Sequence, residues 1–185
     1  MGEGGYKIRD QLAIHFLTFT VVEWIDIFTR DIYRDIIIEG LKYGQSNKGL
    51  MVHAWVIMTN HLHLIVSVKE GFTLSNFIRD FKKYTSTSLL KAICANRQES
   101  RSSWMFSLFK SAGEDNSRNK YYQLWKQDNH PVELCTNRMM DQRLAYLHNN
   151  PVKAGFARRT EDYPYSSAYS YKYGDDDILD LVYLE

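Results

Sequence analysis

The chain has 185 residues, 44% hydrophobic and 24% charged, which fits a single globular domain and excludes a disordered chain, a collagen or a coiled coil. The formal charge of +1 hides an asymmetry that permits a polyanionic partner: residues 175–185 hold five acids and no base, leaving 23 bases against 17 acids in residues 1–174. No run approaches the ~18 apolar residues of a membrane helix; the opening residues contain no apolar signal core, and Cys94 and Cys135 lack metal-type spacing, so we expect a cytoplasmic protein with reduced thiols and no membrane contact.

His15 to Val22 (HFLTFTVV) is rich in β-branched and aromatic residues and predicts a first strand. Asp31 to Tyr43 predicts a helix with Ile32, Asp35, Ile36, Glu39 and Tyr43 in one stripe, ended by Gly44, Ser46, Asn47 and Gly49. Met51 to Met58 predicts a second strand, Thr59-Asn60 a tight turn, and His61 to Val68 a third strand. Thr73 to Ala95 predicts a long helix carrying Phe77, Phe81 and Tyr84. The aromatic runs Trp104 to Phe109 and Tyr121 to Trp125 flank a polar loop and are expected as a strand pair or an irregular arm. Asn137 to Asn150 predicts a third helix, closed by Pro151 because proline disfavours helix at the residue before it. An acidic tail, residues 175–185, follows one domain of residues 1–174. Strand, helix, strand, strand, helix is the order of a split β-α-β unit. The expected fold is therefore α+β: a ferredoxin-like sandwich, with an antiparallel sheet and helices on one face.

The sharpest chemical feature is His61-Leu62-His63. Strand side chains alternate, so Leu62 enters the core while the two imidazoles share the other face, where they suit a divalent metal. The plainer reading of such a pair is two polar residues on a solvated strand face. The late helix supplies Tyr146 and, four residues on, Asn150, which share a helix face. Spacing alone does not bring that helix to that strand.

The stretch MTNHLHLIV (residues 58–66) resembles the HUH motif of single-strand tyrosine transposases. Ala145 to Phe156 (AYLHNNPVKAGF) resembles the tyrosine helix of the same IS200-like group, especially its REP-associated branch, as does Tyr163-Pro-Tyr-Ser-Ser167. The likeness covers roughly residues 10 to 170, with both motifs in family order. The resemblance implies that His61, His63 and Asn150 bind Mg²⁺ or Mn²⁺, and that Tyr146 is the nucleophile. It implies a transposase that cuts single-stranded DNA at or near a hairpin through a 5′-phosphotyrosine link and rejoins strands, without a nucleotide cofactor. Such enzymes act as monomers or homodimers.

Tyr84 is the rival nucleophile, though its spacing with Phe77 and Phe81 suits a core or rim aromatic. Lys82, Lys83, Lys110, Arg118, Lys120, Lys126, Lys153 and Arg158 are the expected contacts to nucleic acid, set against their plainer role as solvated charges. His15, His53, His130 and His148 are read as structural, with His53 and His148 able to approach a metal only through the fold. The acidic tail is either a solubilising end or a DNA mimic lying across the basic site. Two other functions remain open: a domesticated, non-catalytic module that binds DNA or RNA hairpins, and another HUH nuclease.

Overall fold

In the computed structural model, which describes residues 8–114, 121–174 and 178–184, β1 (His15–Thr20) pairs antiparallel with β3 (His61–Val68). On the far side of β3 lies β2 (Leu50–Ile57), and on the far side of β1 the two-residue β4 (Val132–Glu133). The sheet order is thus β2-β3-β1-β4. β2 and β3 form the expected hairpin around Thr59-Asn60, closed by the Met58 N–H on the His61 carbonyl at 2.8 Å.

The sheet has two packed faces. Leu17, Phe19, Trp55, Leu62 and Leu64 point into a core with α1 (Asp31–Asn47) and α2 (Leu74–Ala95). Phe16, Ala54, Val56 and Ile65 point the other way, with Leu147 of α4 (Asn137–Lys153). The two long helices share one face as expected, and the late helix covers the other. A bulge at His53 keeps β2 in step. One extra residue between Val52 and Ala54 lets Val52 and Trp55 both face the larger core. Each fully buried Leu or Phe here contributes about 1.5–3 kcal/mol.

Helix α1 differs from expectation. Its buried residues are Tyr33, Ile37, Ile38, Gly40, Leu41 and Gly44, whereas Ile32 and Tyr43 of the expected stripe are exposed. Gly44 does not end the helix. It is a contact point, since a Cβ there would lie 2.6 Å from Phe77 Cε2, too close for any side chain. The helix stops only before Gly49, whose φ of +63° suits glycine.

The aromatic run 104–109 is also helical, not a strand: α3 spans Ser102–Glu114, burying Met105, Phe109 and Gly113 at intervals of four. Residues 121–125 are irregular, with Trp125 buried and bridged to Val21. Helix α4 runs through Pro151 to Lys153 rather than ending at Asn150. Pro151 falls in the last turn, where only one backbone bond is lost, and Gly155 (φ +77°) closes the end.

The outer edge of β2 is sealed by the C-terminal quarter. The Ile57 N–H donates to the Tyr165 carbonyl at 2.9 Å, the Tyr163 hydroxyl to the Ile57 carbonyl at 2.8 Å, and the Ser167 N–H to the Trp55 carbonyl at 3.0 Å. The Tyr171 hydroxyl, from α5 (Ala168–Tyr173), donates to the His53 carbonyl at 2.9 Å, and the Val182 N–H to the Val52 carbonyl at 2.9 Å. Leu179 is buried beside them. Ser167, fully buried, accepts at Oγ from the Trp55 N–H and from His148 Nε2, both at 3.0 Å. No helix of the described residues is long and apolar enough to cross a membrane. Cys94 and Cys135 are exposed and not paired.

Two predictions follow the Ser167–His148 link. Ser167→Ala strips the acceptor from two buried donors and should lower the unfolding free energy by about 3 kcal/mol in urea denaturation. Burial holds the His148 imidazole down to about 4 from its ordinary 6.5. As pH falls through that window the unfolded chain takes up a proton that the folded chain refuses, so stability declines by about 1.4 kcal/mol per pH unit from this residue. His148→Gln should flatten the stability–pH slope by that amount.

Candidate active site

The face of the sheet beneath α4 carries an open cleft of about 640 Å³. Its floor is β1 and β3. Thr18 stands across from His63 and Thr20 across from His61, so the strand pairing sets these four side chains side by side. One wall is α4, where Arg143, Tyr146 and Asn150 line the cleft at intervals of three and four, a single helix face. The other wall is the chain from Lys126 to Val132, and Trp24 stands at the lip.

The two imidazole centroids are 4.8 Å apart, and the Tyr146 ring lies 5.4 Å from that of His63, edge to face. Phe16 supports both, 5.1 Å from His63 and 5.9 Å from Tyr146. Tyr146 is 39% exposed and lines the cleft. Histidine pair, tyrosine and asparagine therefore meet within one chain.

A hydrogen bond selects the His61 tautomer. Asn60 donates from Nδ2 to the Trp24 carbonyl at 3.2 Å, which turns its Oδ1 toward His61 Nδ1 at 2.6 Å. An amide oxygen only accepts, so His61 carries its proton on Nδ1 and its lone pair on Nε2. His63 Nδ1 bonds Thr18 Oγ1 at 2.9 Å, and its Nε2 is buried with no partner. Burial lowers His61 to about 4; burial, then His61 and Arg143, lowers His63 to about 3. Both rings are neutral at pH 7, the form that binds metal. The buried, unpartnered Nε2 of His63 and the Nε2 lone pair of His61 fit a divalent cation. Asn150 spends Nδ2 on the Tyr146 carbonyl at 2.9 Å, leaving its amide oxygen as a third donor atom at the cleft. Among the described residues no group of three or more His, Cys, Asp or Glu side chains stands ready for a metal, so any such ion relies on this mixed set.

The expected basic contacts divide. Lys126 lines the cleft, its ammonium 4.7 Å from the Trp24 ring centroid. Lys153 stands 5.7 Å from the Tyr146 ring centroid, and Arg158 is exposed beyond it. Lys82 does not face the cleft as a free cation. Its ammonium donates to the carbonyls of Lys126 at 2.7 Å and Gln127 at 3.0 Å, and burial lowers it to about 8. It braces the cleft wall from behind. Lys83 lines a separate groove between α1 and α2, together with Tyr84, whose hydroxyl donates to Glu39 at 3.3 Å. Lys110 pairs with Glu114 at 3.7 Å on α3. Arg118 and Lys120 lie outside the described residues.

His53 and His148 are occupied elsewhere. His53 bonds the Val182 carbonyl and Ser67 Oγ, and His148 bonds Ser167. His15 bonds the Ala13 carbonyl. His130, read as structural, lines the cleft instead, as do Gln127 and Asp128. The most informative residue missed from the sequence is Arg143, whose guanidinium stands 5.1 Å from the Phe16 ring centroid. Its position three residues before Tyr146 was the available signal. Residues 178–184 follow β2 and none of them lines the cleft. Asp175, Asp176, Asp177 and Glu185 lie outside the described residues.

A family model described as "Transposase IS200 like" matches residues 9–126, a stretch that includes both cleft histidines and stops short of α4. The fold is similar to that of a REP-associated tyrosine transposase bound to a REP hairpin, with a TM-score of 0.64 and 17% identity, covering 100% of this chain and 98% of that one. A crystal structure from Deinococcus radiodurans R1 aligns with a TM-score of 0.41 and 16% identity, over 80% of this chain and 97% of that one. No curated protein matches the chain by sequence.

The brace behind the wall can be tested. Lys82→Met should raise amide hydrogen exchange across Lys126 to Asn129 by about tenfold, the equivalent of about 1.4 kcal/mol, and leave the β2–β3 amides unchanged.

Proposed function

Because the chain belongs to the family of IS200-like transposases, we propose that it cuts and rejoins single-stranded DNA beside a small hairpin, as a REP-associated tyrosine transposase with Tyr146 as its nucleophile. The observation that carries this reading is the contact of Tyr146 with His63 inside one chain, in a cleft lined with cations. The family match ends at residue 126, so the nucleophile rests on this geometry and on the motif around it.

The Tyr146 phenol oxygen attacks the phosphorus of a phosphodiester. The bond to Tyr146 forms as the bond to the 3′-oxygen breaks. The phenol gives up its proton, and the departing oxygen gains one to become a free 3′-hydroxyl. The 5′-phosphate is left on the tyrosine, and attack by another 3′-hydroxyl reverses the step and joins strands. The energy of the broken bond is kept in the covalent link, so no nucleotide cofactor enters. Arg143 in the cleft and Lys153 beside the Tyr146 ring supply positive charge that offsets charge on the phosphate. His61, His63 and Asn150 would hold Mg²⁺ or Mn²⁺, which would supply Lewis-acid polarisation of the phosphate when bound. His61, His63, Tyr146 and Asn150 all line one cleft of a single chain.

The test is a single-stranded oligonucleotide carrying a REP-type hairpin, incubated with the protein and Mn²⁺ and resolved under denaturing conditions. Wild type should give a protein–DNA adduct. Tyr146→Phe should abolish the adduct while binding the hairpin within about twofold, and Tyr84→Phe should form it normally. His63→Ala should lose both the adduct and Mn²⁺ binding by calorimetry. Tight hairpin binding by wild type without any adduct would replace this reading with that of a binding module.

A further inference from the structure

The chain between β1 and α1 presents a tryptophan to solvent under tension. Val22, Ile25, Ile27 and Phe28 are all at most 4% exposed, yet Trp24 between them is 57% exposed at the lip of the cleft. Glu23 and Trp24 adopt φ of 53° and 55°, a left-handed conformation that bulky residues seldom take and that persists only where the surroundings enforce it. The surroundings do so here. The Trp24 N–H donates to the Val21 carbonyl at 3.2 Å, its carbonyl accepts from Asn60 at 3.2 Å, and Arg101 holds Asp26 at 3.2 Å just beyond. This is a rigid aromatic surface, held out by buried anchors on both sides.

We propose that the Trp24 indole is a stacking platform for an unpaired nucleobase of the strand whose phosphate enters the cleft; the proposal rests on the single-strand reading of that cleft. The neighbours select this ligand. The Lys126 ammonium lies over the indole ring, 4.7 Å from its centroid, and can swing to the backbone phosphate of the stacked nucleotide, while the His61 ring stands 6.0 Å away at 78° to the indole. A large π-face beside a cation is the arrangement that holds single strands, since every base offers a face to stack. A base inside a duplex has no free face, so the platform also discriminates single-stranded from paired substrate. Asn60 links the platform to the chemistry: the same amide holds the Trp24 carbonyl and the His61 Nδ1 proton, which sets the stacked base in register with the imidazole pair.

The experiment measures binding of labelled dT12 and of a blunt 12-base-pair duplex by fluorescence anisotropy. Trp24→Ala should weaken dT12 binding by about 5- to 50-fold, within the range of one lost base–aromatic stack, and leave duplex binding within about twofold. Trp24→Phe should recover most of the dT12 affinity. Ultraviolet cross-linking of wild type to 5-iodouracil-substituted dT12 should yield a conjugated peptide containing Trp24, a readout that does not depend on how the variants fold. Unchanged dT12 affinity in a folded Trp24→Ala protein, or cross-links confined to other peptides, overturns the platform alone if wild type still forms the Tyr146 adduct. Failure of wild type to bind dT12 or a dT-tailed hairpin removes the single-strand reading and the platform with it.

Discussion

Everything at the cleft depends on the pairing of β1 with β3. That ladder puts Thr18 opposite His63 and sends Leu62 through the sheet to the opposite core, so the two imidazoles must emerge together on the face that α4 covers. Shifting the pairing by one residue would bury Leu62 under α4 and drive two histidines into the aliphatic core, at a cost no neighbouring interaction offsets. The ladder is therefore both the hydrophobic solution for Leu62 and Leu64 and the device that builds the polar site.

Covering the histidine face with a helix changes their chemistry. On a solvated sheet the pair would titrate near neutrality and gain protons in mild acid. Under α4, with His63 only 4% exposed and Arg143 beside it, protonation is deferred to about 3 to 4, and the lone pairs stay available through the physiological range. Burial that would be a burden in an ordinary core thus prepares the donor atoms. The rings are oriented one layer further out, by Asn60, which also settles the His61 tautomer, and by Thr18 on His63.

Much of this was legible in the sequence because it follows from short-range periodicity. Alternation in HLHLIV sets the strand and its faces, Thr59-Asn60 sets the hairpin, and the interval from Tyr146 to Asn150 sets a helix face. What was illegible depends on partners distant in the chain. Gly44 reads as a helix breaker until Phe77 is seen filling the space where a Cβ would stand. Lys82 reads as a solvated charge until the carbonyls of Lys126 and Gln127 arrive from 44 and 45 residues away. Aromatic density hid the fourfold spacing of Met105, Phe109 and Gly113 in α3, which a count of positions would have found. The approach of α4 to the hairpin came from motif resemblance, since no spacing rule brings a late helix onto a strand some eighty residues earlier.

Tyr163-Pro-Tyr-Ser-Ser167 resembled a branch hallmark and proves to be the start of the seam along β2, continued by Tyr171 and Val182. The order of synthesis gives this seam a further meaning. While the nascent polypeptide emerges, β1 through α4 can assemble, but one row of β2 amides and carbonyls stays bare until residues 163–182 follow. During that interval an identical chain on the same message offers the same missing segment, so exchange of C-terminal arms between copies competes with self-completion. A chain that stops before Tyr163 would keep that strand edge open for good.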